Sequence, residues 1–343
     1  MVAYLIRRIL WAVVLFFAVT VVSYVLFFVI PADPAKQACG QSCTQGDVDH
    51  VRHFLGLDKP IYFQYGKFVG RLMPVSFRDR HKDGSLTIRP YPHFKTPSLG
   101  RSFFSRQPVN TLVLKAAPVT ASLVLGGAFF WMLLAIPIGV LSALRPRSLL
   151  DRVSMTFVLI GISAHPVWIG LIFAYFFGYK WHITPITLYA DFFNPPQGEP
   201  GGPIQWAYHL ILPWATFAIL FAALYVRMIR ANVIETMNED YVRTARAKGA
   251  PESRVLRSHI LRNALLPIVT MLGMDIGLAL GGAIFTENVY SLPGLGRITI
   301  QGYQNYDTPT VQGVIVFATV VIIVFNLAVD LIYAWIDPRI RLA

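Results

Sequence analysis

The sequence predicts an all-α polytopic membrane protein, with six transmembrane helices and a small extracytoplasmic domain between the first and second. Two observations carry this. Of 343 residues, 55% are hydrophobic and 14% charged, where a soluble domain carries roughly 25% charged residues. The apolar residues also gather into blocks near 9–30, 119–144, 153–178, 207–226, 264–285 and 313–336. Each block is long enough to cross a bilayer core, which takes about 20 residues of helix. In lipid, a helix is the only open-chain structure that pairs its own backbone polar groups.

The first block follows Arg7 and Arg8. It is longer than the roughly 7–15 apolar residues of a signal peptide, and no small-residue cleavage site follows it. It therefore reads as a retained helix. The second block is uncharged, with Pro137 and Gly139 near its end. Loop charges then orient the set. Arg7, Arg8, Arg145, Arg147, Arg152, eight Lys/Arg of the loop at 227–263, Arg339 and Arg341 all fall on one side, and the short opposing loops hold only Lys180 and Arg297. Lys and Arg in short loops stay cytoplasmic, which places both termini in the cytoplasm.

Residues 31–118 carry 13 Lys/Arg on the other side. Segments longer than about 60 residues translocate largely regardless of charge. The segment reads as a folded outer domain, with helical apolar spacing at 48–55 and 61–72 and a polar loop or short hairpin at 78–96. The predicted organisation is thus 1–30, the cytoplasmic N-terminus and first helix; 31–118, the outer domain; and 119–343, a five-helix core. Topology accounts for much of the net charge of +12. With no RNA-binding motif, zinc pattern or basic arm, nucleic acid is excluded as a partner, and the lipid bilayer is the expected one. Cys39 and Cys43, just beyond the first block, form a disulfide if that side is oxidising, or remain two thiols. Their spacing is not that of a redox or zinc motif, so no metal site is expected.

Catalytic chemistry is missing. A phosphate-binding loop needs glycines before its lysine; Gly66-Lys67 is followed by Phe68 and lacks the earlier glycine. No metalloprotease, serine-hydrolase or paired-aspartate pattern lies in a span. The chain is expected to be no enzyme and to bind no cofactor of its own. An ion-coupled carrier would use ionisable residues within the membrane, and His165, Asp275 and Asp330 are those present. His165 precedes Pro166 and so has a structural alternative as a hydrogen-bonding group. Gly273, Gly277 and Gly281 are four apart and share one face of the fifth helix, a seam for close helix packing. Asp275 lies roughly 200° around from Gly273. It is expected to face either a wet pathway or a polar partner on a neighbouring helix, so Asp275 and His165 are the candidate pathway residues.

The loop at 227–263 is the most informative stretch. Asn238 is a plausible N-cap, with Glu239 and Asp240 at the positive end of a helix. Gly249 is a natural helix stop, and Pro251 and Glu252 open a second helix. Ala245 and Gly249 leave a small-sided face. Arg243, Arg246 and Lys248 suit either anionic lipid or a protein partner.

Aligned on Gly249, this loop resembles the EAA loop of ABC-importer permeases. Arg243, Thr244 and Ala245 stand at its opening, and His259, Leu261 and Arg262 at its ending, without the usual first Glu and last Pro. The runs YVRTARAKG at 241–249 and HILRNALLP at 259–267 are the form the loop takes in the dipeptide and oligopeptide permeases of the DppB/OppB type. Segments YLIRR at 4–8, LGLDKPI at 55–61, LGRSF at 99–103, ENVYSLPGLG at 287–296 and DPRIR at 337–341 resemble that family in the same order, while 77–97 looks inserted.

The resemblance implies a type I importer fold in a bacterial or archaeal inner membrane. It implies a sister permease, two ATPases carrying ATP and Mg, and an outer substrate-binding protein. Tyr241, Arg243, Thr244, Ala245, Arg246, Ala247, Lys248, Gly249, Ala250 and Pro251 would form the ATPase-coupling loop. Nickel and glutathione permeases of the same branch, and a single-chain carrier relying on His165 or Asp275, are the alternatives.

Overall fold

A computed structural model describes residues 2–29, 34–39, 43–55, 58–80, 86–187, 189–193 and 201–336. In chain order the helices begin with α1 (Val2–Tyr24), continued by a π turn at Val25–Val29, then α2 (Pro34–Cys39), α3 (Gln45–Leu55) and α4 (Ile61–Leu72). Strands β1 (Val75–Arg80) and β2 (Leu86–Phe94) follow, then α5 (Val109–Leu144), α6 (Leu149–Ser163) and α7 (Pro166–Phe173), the last continued by a π segment at Ala174–Lys180. Next come α8 (Pro203–Met237), α9 (Asp240–Ala247), α10 (Glu252–Arg254), a π segment at Val255–Leu261 and α11 (Arg262–Ala264). The chain continues with α12 (Leu266–Leu280), α13 (Ile284–Val289), α14 (Leu295–Gln304) and α15 (Thr308–Ile336).

Among the described residues four helices are long and apolar enough to cross a membrane, and six spans result if each of two bent pairs is one span. The third span, expected at 153–178, is a bent pair: α6 and α7 meet at 105°. Proline disfavours a helical conformation in the residue before it; His165 and, before it, Ala164 are both extended, at φ −82°, ψ 140° and φ −83°, ψ 135°. The fifth span also stops short of residue 285. The chain leaves the helix at Gly281 and turns through Gly282, whose φ of +141° favours glycine. In contrast, α8 runs eleven residues past the expected Val226. Hydropathy marks where the lipid ends, whereas the backbone hydrogen bonds of a helix continue into water. Of the loop or short hairpin expected at 78–96, the structure has the hairpin, antiparallel β1–β2. It pairs Val75 with Phe94 and Arg80 with Leu86, with an irregularity between Ser76 and Arg78.

The chain divides into two compact units. One comprises residues 117–297 with the chain from Val321 onward, and the other residues 2–116 and 298–320. In the first, α8 is the central element. Trp131 of α5 is fully buried and stacks on Phe221 at 4.6 Å, beside Phe217 and Tyr225. Glycines let its neighbours approach. A Cβ at Gly127 would sit 2.9 Å from Phe217, one at Gly139 2.9 Å from Ile229, and one at Gly161 of α6 2.6 Å from Ala223.

In the second unit, Tyr24 at the end of α1 joins α4. Its hydroxyl donates to Gln64 Oε1 at 3.2 Å and its ring meets Tyr65 and Phe68. Cys39 and Cys43 are joined as a disulfide, Cα–Cα 6.0 Å. Thr44 then caps α3 reciprocally: its backbone N–H and hydroxyl donate to Asp47 Oδ2 at 3.0 and 2.6 Å, and Asp47 N–H donates back to Thr44 Oγ1 at 3.4 Å. These bonds hold the Asp47 carboxyl below the usual range.

Candidate functional site

The candidate coupling loop is a helix–corner–helix. Asn238 does not begin α9. It ends α8 at φ −93°, ψ −2°, its side chain donating to the Ile234 carbonyl at 3.0 Å, and Glu239 takes the N-cap position. The reason is that α8 does not stop at the membrane but continues to Met237, so the first available capping residue serves its end. Gly249 has φ +76°. Gly249 N–H donates to the Arg246 carbonyl at 2.9 Å and Ala250 N–H to the Ala245 carbonyl at 3.2 Å, the paired bonds of a glycine-terminated helix. Arg246 Nε reaches across the corner to Glu252 Oε1 at 2.9 Å.

The underside of this corner is fixed. Val242 and Val255 are fully buried, and Ile260 and Ala264 nearly so. Ala245 and Ala250 pack against the same core, so Ala245 faces inward more than a close-contact surface requires. Asn263 Nδ2 donates to the Tyr241 hydroxyl at 2.8 Å. Arg243, Thr244, Arg246, Ala247, Lys248, Gly249 and Pro251 are exposed. The outer face is thus small-sided on a packed base and carries both signs of charge, with Arg243 3.7 Å from Asp240 and Arg246 paired with Glu252. A π segment at Val255–Leu261 leads on to α11 and α12.

A second contact fixes the helix that carries the corner. Arg230 of α8 donates through Nε and an Nη to the two carboxylate oxygens of Asp151, at 2.7 and 2.9 Å. Ser142 Oγ and Arg147 N–H also donate to Asp151, which is buried. A bidentate Arg–carboxylate pair holds orientation as well as charge. Sequence reasoning counted Arg230 only as a topology signal. Asp151, the one acid among the arginines of that short loop, was the available clue.

Within the spans, Tyr225 of α8 donates to Asp275 Oδ2 of α12 at 2.6 Å. His165 caps α7, its Nδ1 accepting from Val167 N–H at 3.3 Å, and its ring meets the edge of Phe285 at 4.9 Å. No hydrogen bond joins Asp275 to His165 among the described residues. Gly273 and Gly277 face α15: a Cβ at Gly273 would run into Val329, and one at Gly277 would lie 3.1 Å from Phe325 Cβ. Gly281 instead ends α12. Among the described residues no cluster of His, Cys, Asp or Glu is placed to hold a metal.

Glu287, which the sequence showed only as the first residue of the run at 287–296, is fully buried. Thr120 Oγ1 donates to its Oε1 at 2.6 Å and Arg297 N–H to its Oε2 at 3.1 Å, while Leu295 N–H donates to Thr120 Oγ1 at 2.8 Å. Burial pushes the carboxyl's pKa up, and the donated hydrogen bonds oppose that shift. A side chain at Gly294 would collide with this carboxylate. The Tyr290 hydroxyl bonds Thr216 at 2.7 Å and the Gly170 carbonyl at 3.2 Å. The run ENVYSLPGLG is therefore a polar latch closed on Thr120. Likewise LGRSF at 99–103 is held by Asp307, which accepts from Ser102 Oγ at 2.5 Å and Phe103 N–H at 2.7 Å. The run DPRIR at 337–341 lies outside the described residues.

Residues 135–342 match the family described as binding-protein-dependent transport system inner membrane component, and residues 1–124 match the N-terminal part of such membrane components. The dipeptide transport system permease protein DppB of Escherichia coli K12 is 33% identical over 362 residues, covering 99% of each chain. A putative peptide transport system permease protein of Brucella abortus is 32% identical over 341 residues, again covering 99% of each. A probable D,D-dipeptide transport system permease protein of Escherichia coli K12 is 32% identical over 98% of this chain and 97% of its own. In fold, a chain of the MetNI methionine ABC transporter in an inward-facing conformation superposes with a TM-score of 0.52 at 19% identity. That match covers 66% of this chain and 97% of that one.

Proposed function

The chain belongs to the binding-protein-dependent transport system inner membrane components, and from that premise we propose that it forms half of the translocation path of an ATP-driven importer for dipeptides or short peptides. The supporting observation is identity over nearly its whole length to permeases named for dipeptides and peptides. It is a multi-pass inner membrane protein and a translocation component, not an enzyme. Both termini face the cytoplasm in this reading. A sister permease completes the path, an outer binding protein delivers the peptide, and two ATPases bind ATP and Mg on the cytoplasmic side.

The geometry supports a coupling part for this loop. The exposed, small-sided outer face of α9 is where an ATPase docks. Its base is held by Val242, Val255 and the Tyr241–Asn263 bond, so a push on the corner displaces it as a unit. The corner follows directly on α8, which Arg230 and Asp151 fix to the α5–α6 turn. Closure of the ATPases is thereby passed into a helix that crosses the membrane.

The test is affinity purification of the tagged chain from native membranes, as wild type and as Ala247→Trp. A bulky side chain on the exposed face of α9 leaves the fold intact and obstructs docking. The wild type is expected to bring down a second permease and two ATPases, and the variant the permease alone. ATPases retained equally by both would contradict the assignment of this face. A wild type recovered alone would contradict the importer.

A further inference from the structure

Within the unit formed by residues 2–116 and 298–320 lies a cavity of about 620 Å³. Its wall includes the rings of Tyr24 and Phe28, stacked at 5.0 Å, and of Phe68, 5.6 Å from Tyr24. Four cations also line it: Lys67 and Arg71 from α4, and Arg101 and Arg106 from the segment before α5. None of the four forms an ion pair among the described residues. The carboxylate beneath this segment, Asp307, is 4% exposed and already accepts from Ser102, Phe103 and Thr310.

A separate observation points the same way. Gln312 lines the cavity, is 3% exposed, and its Nε2 has no acceptor among the described residues. A buried amide donor without a partner is uncommon in folded proteins and asks for an explanation. Unpaired cations, an unpaired amide donor and an aromatic wall together suit an oxyanion carried on an apolar body.

The surroundings say which body. Tyr24 and Phe28 stand at the far end of the apolar first span, where aromatic side chains sit at headgroup level. Val21, Val22, Val25 and Leu26, neighbours of these two rings along the same span, are exposed, an apolar strip on the first span. Helix α4 adds exposed Ile61, Tyr62 and Phe63 near its start, the aromatic and basic mixture of a helix lying in the interface. We propose that this cavity binds the phosphate headgroup of an anionic phospholipid, with its acyl chains lying along the exposed face of α1.

The experiment uses the full chain with its co-purifying subunits, delipidated in mild detergent. It is titrated with phosphatidylglycerol or phosphatidylcholine, and bound lipid is counted by native mass spectrometry. The wild type should retain phosphatidylglycerol in preference to phosphatidylcholine. Removing two of the four charges, R71Q with R101Q, should weaken phosphatidylglycerol about thirtyfold and leave phosphatidylcholine unchanged. Gln312→Leu should weaken it several-fold, and Arg145→Gln, outside the cavity, should not.

Equal retention of the two lipids by the wild type would overturn the proposal, as would undiminished phosphatidylglycerol binding by a correctly assembled double variant. If the double variant does not assemble, Gln312→Leu and competition on the wild type decide. Displacement by inorganic phosphate at matched concentration would make this a free-anion site and overturn the lipid assignment. Displacement by a dipeptide, but not by its C-terminal amide, would make it a peptide-carboxylate site and overturn it equally.

Discussion

Glu287 and Asp275 are two acids whose costs are met differently. Glu287 is fully buried and depends on donors from Thr120 and Arg297. Replacing it with Gln turns one acceptor into a donor facing the Arg297 N–H. The expected loss is about 1–3 kcal/mol, the cost of an unmet buried hydrogen bond, read as a lower Tm of the purified assembly. An unchanged Tm would mean that the latch contributes nothing. Asp275 is only half-buried and accepts from Tyr225. Asn would still offer Tyr225 an acceptor, so Asp275→Asn should keep uptake within about twofold if the residue joins α8 to α12, by the same hydrogen-bond reasoning. A loss far beyond that would put its charge on the pathway. Asp275 stood out in the sequence because a charge inside an apolar run is costly. Glu287 lies just past the run, and its partner Thr120 is 167 positions away, so hydropathy gave no sign of it. The run at 287–296 that resembles the family, with the glycine at 294 that leaves room for the carboxylate, was its trace.

At the scale of elements, the corner at Gly249 and the seam of α12 with α15 give graded predictions. With φ at +76°, Gly249→Ala should cost about 1–2 kcal/mol, the penalty of a left-handed conformation with a Cβ. Gly249→Asn should cost less, because Asn visits that region more readily. The order Gly, Asn, Ala should appear both in Tm and in ATPase stimulation by substrate; Ala equal to Gly would contradict the corner geometry. On the seam, Gly273→Ala meets Val329 head-on, while Gly277→Ala needs Phe325 to give by only a few tenths of an ångström. The first should be the more destabilising by thermal melting, and the reverse order would contradict this packing. Both glycine features were legible from spacing. The bend at His165–Pro166 was legible only in part. Hydropathy is blind to direction, so one apolar block concealed two helices at 105°. The same blindness shortened α8 on paper and put the N-cap at Asn238 in place of Glu239.

For the whole molecule, the apolar spanning helices and the helix–corner–helix between α8 and α12 were legible in the sequence, because lipid imposes length and charge rules that a single chain must obey. The contacts that bind the spans to each other did not, since Arg230 with Asp151 and Trp131 with Phe221 are side chains far apart in the chain. Cargo rests on relatedness, not on any residue that names a peptide. The central claim is that ATP drives peptide entry through this chain and its partners. The measurement that reaches it most directly is uptake of a labelled dipeptide into proteoliposomes holding the purified assembly, with binding protein outside and ATP inside. Accumulation should require ATP, persist in the presence of a proton uncoupler, and disappear with the Ala247→Trp variant. Accumulation driven by a proton gradient in the absence of ATP would contradict the account.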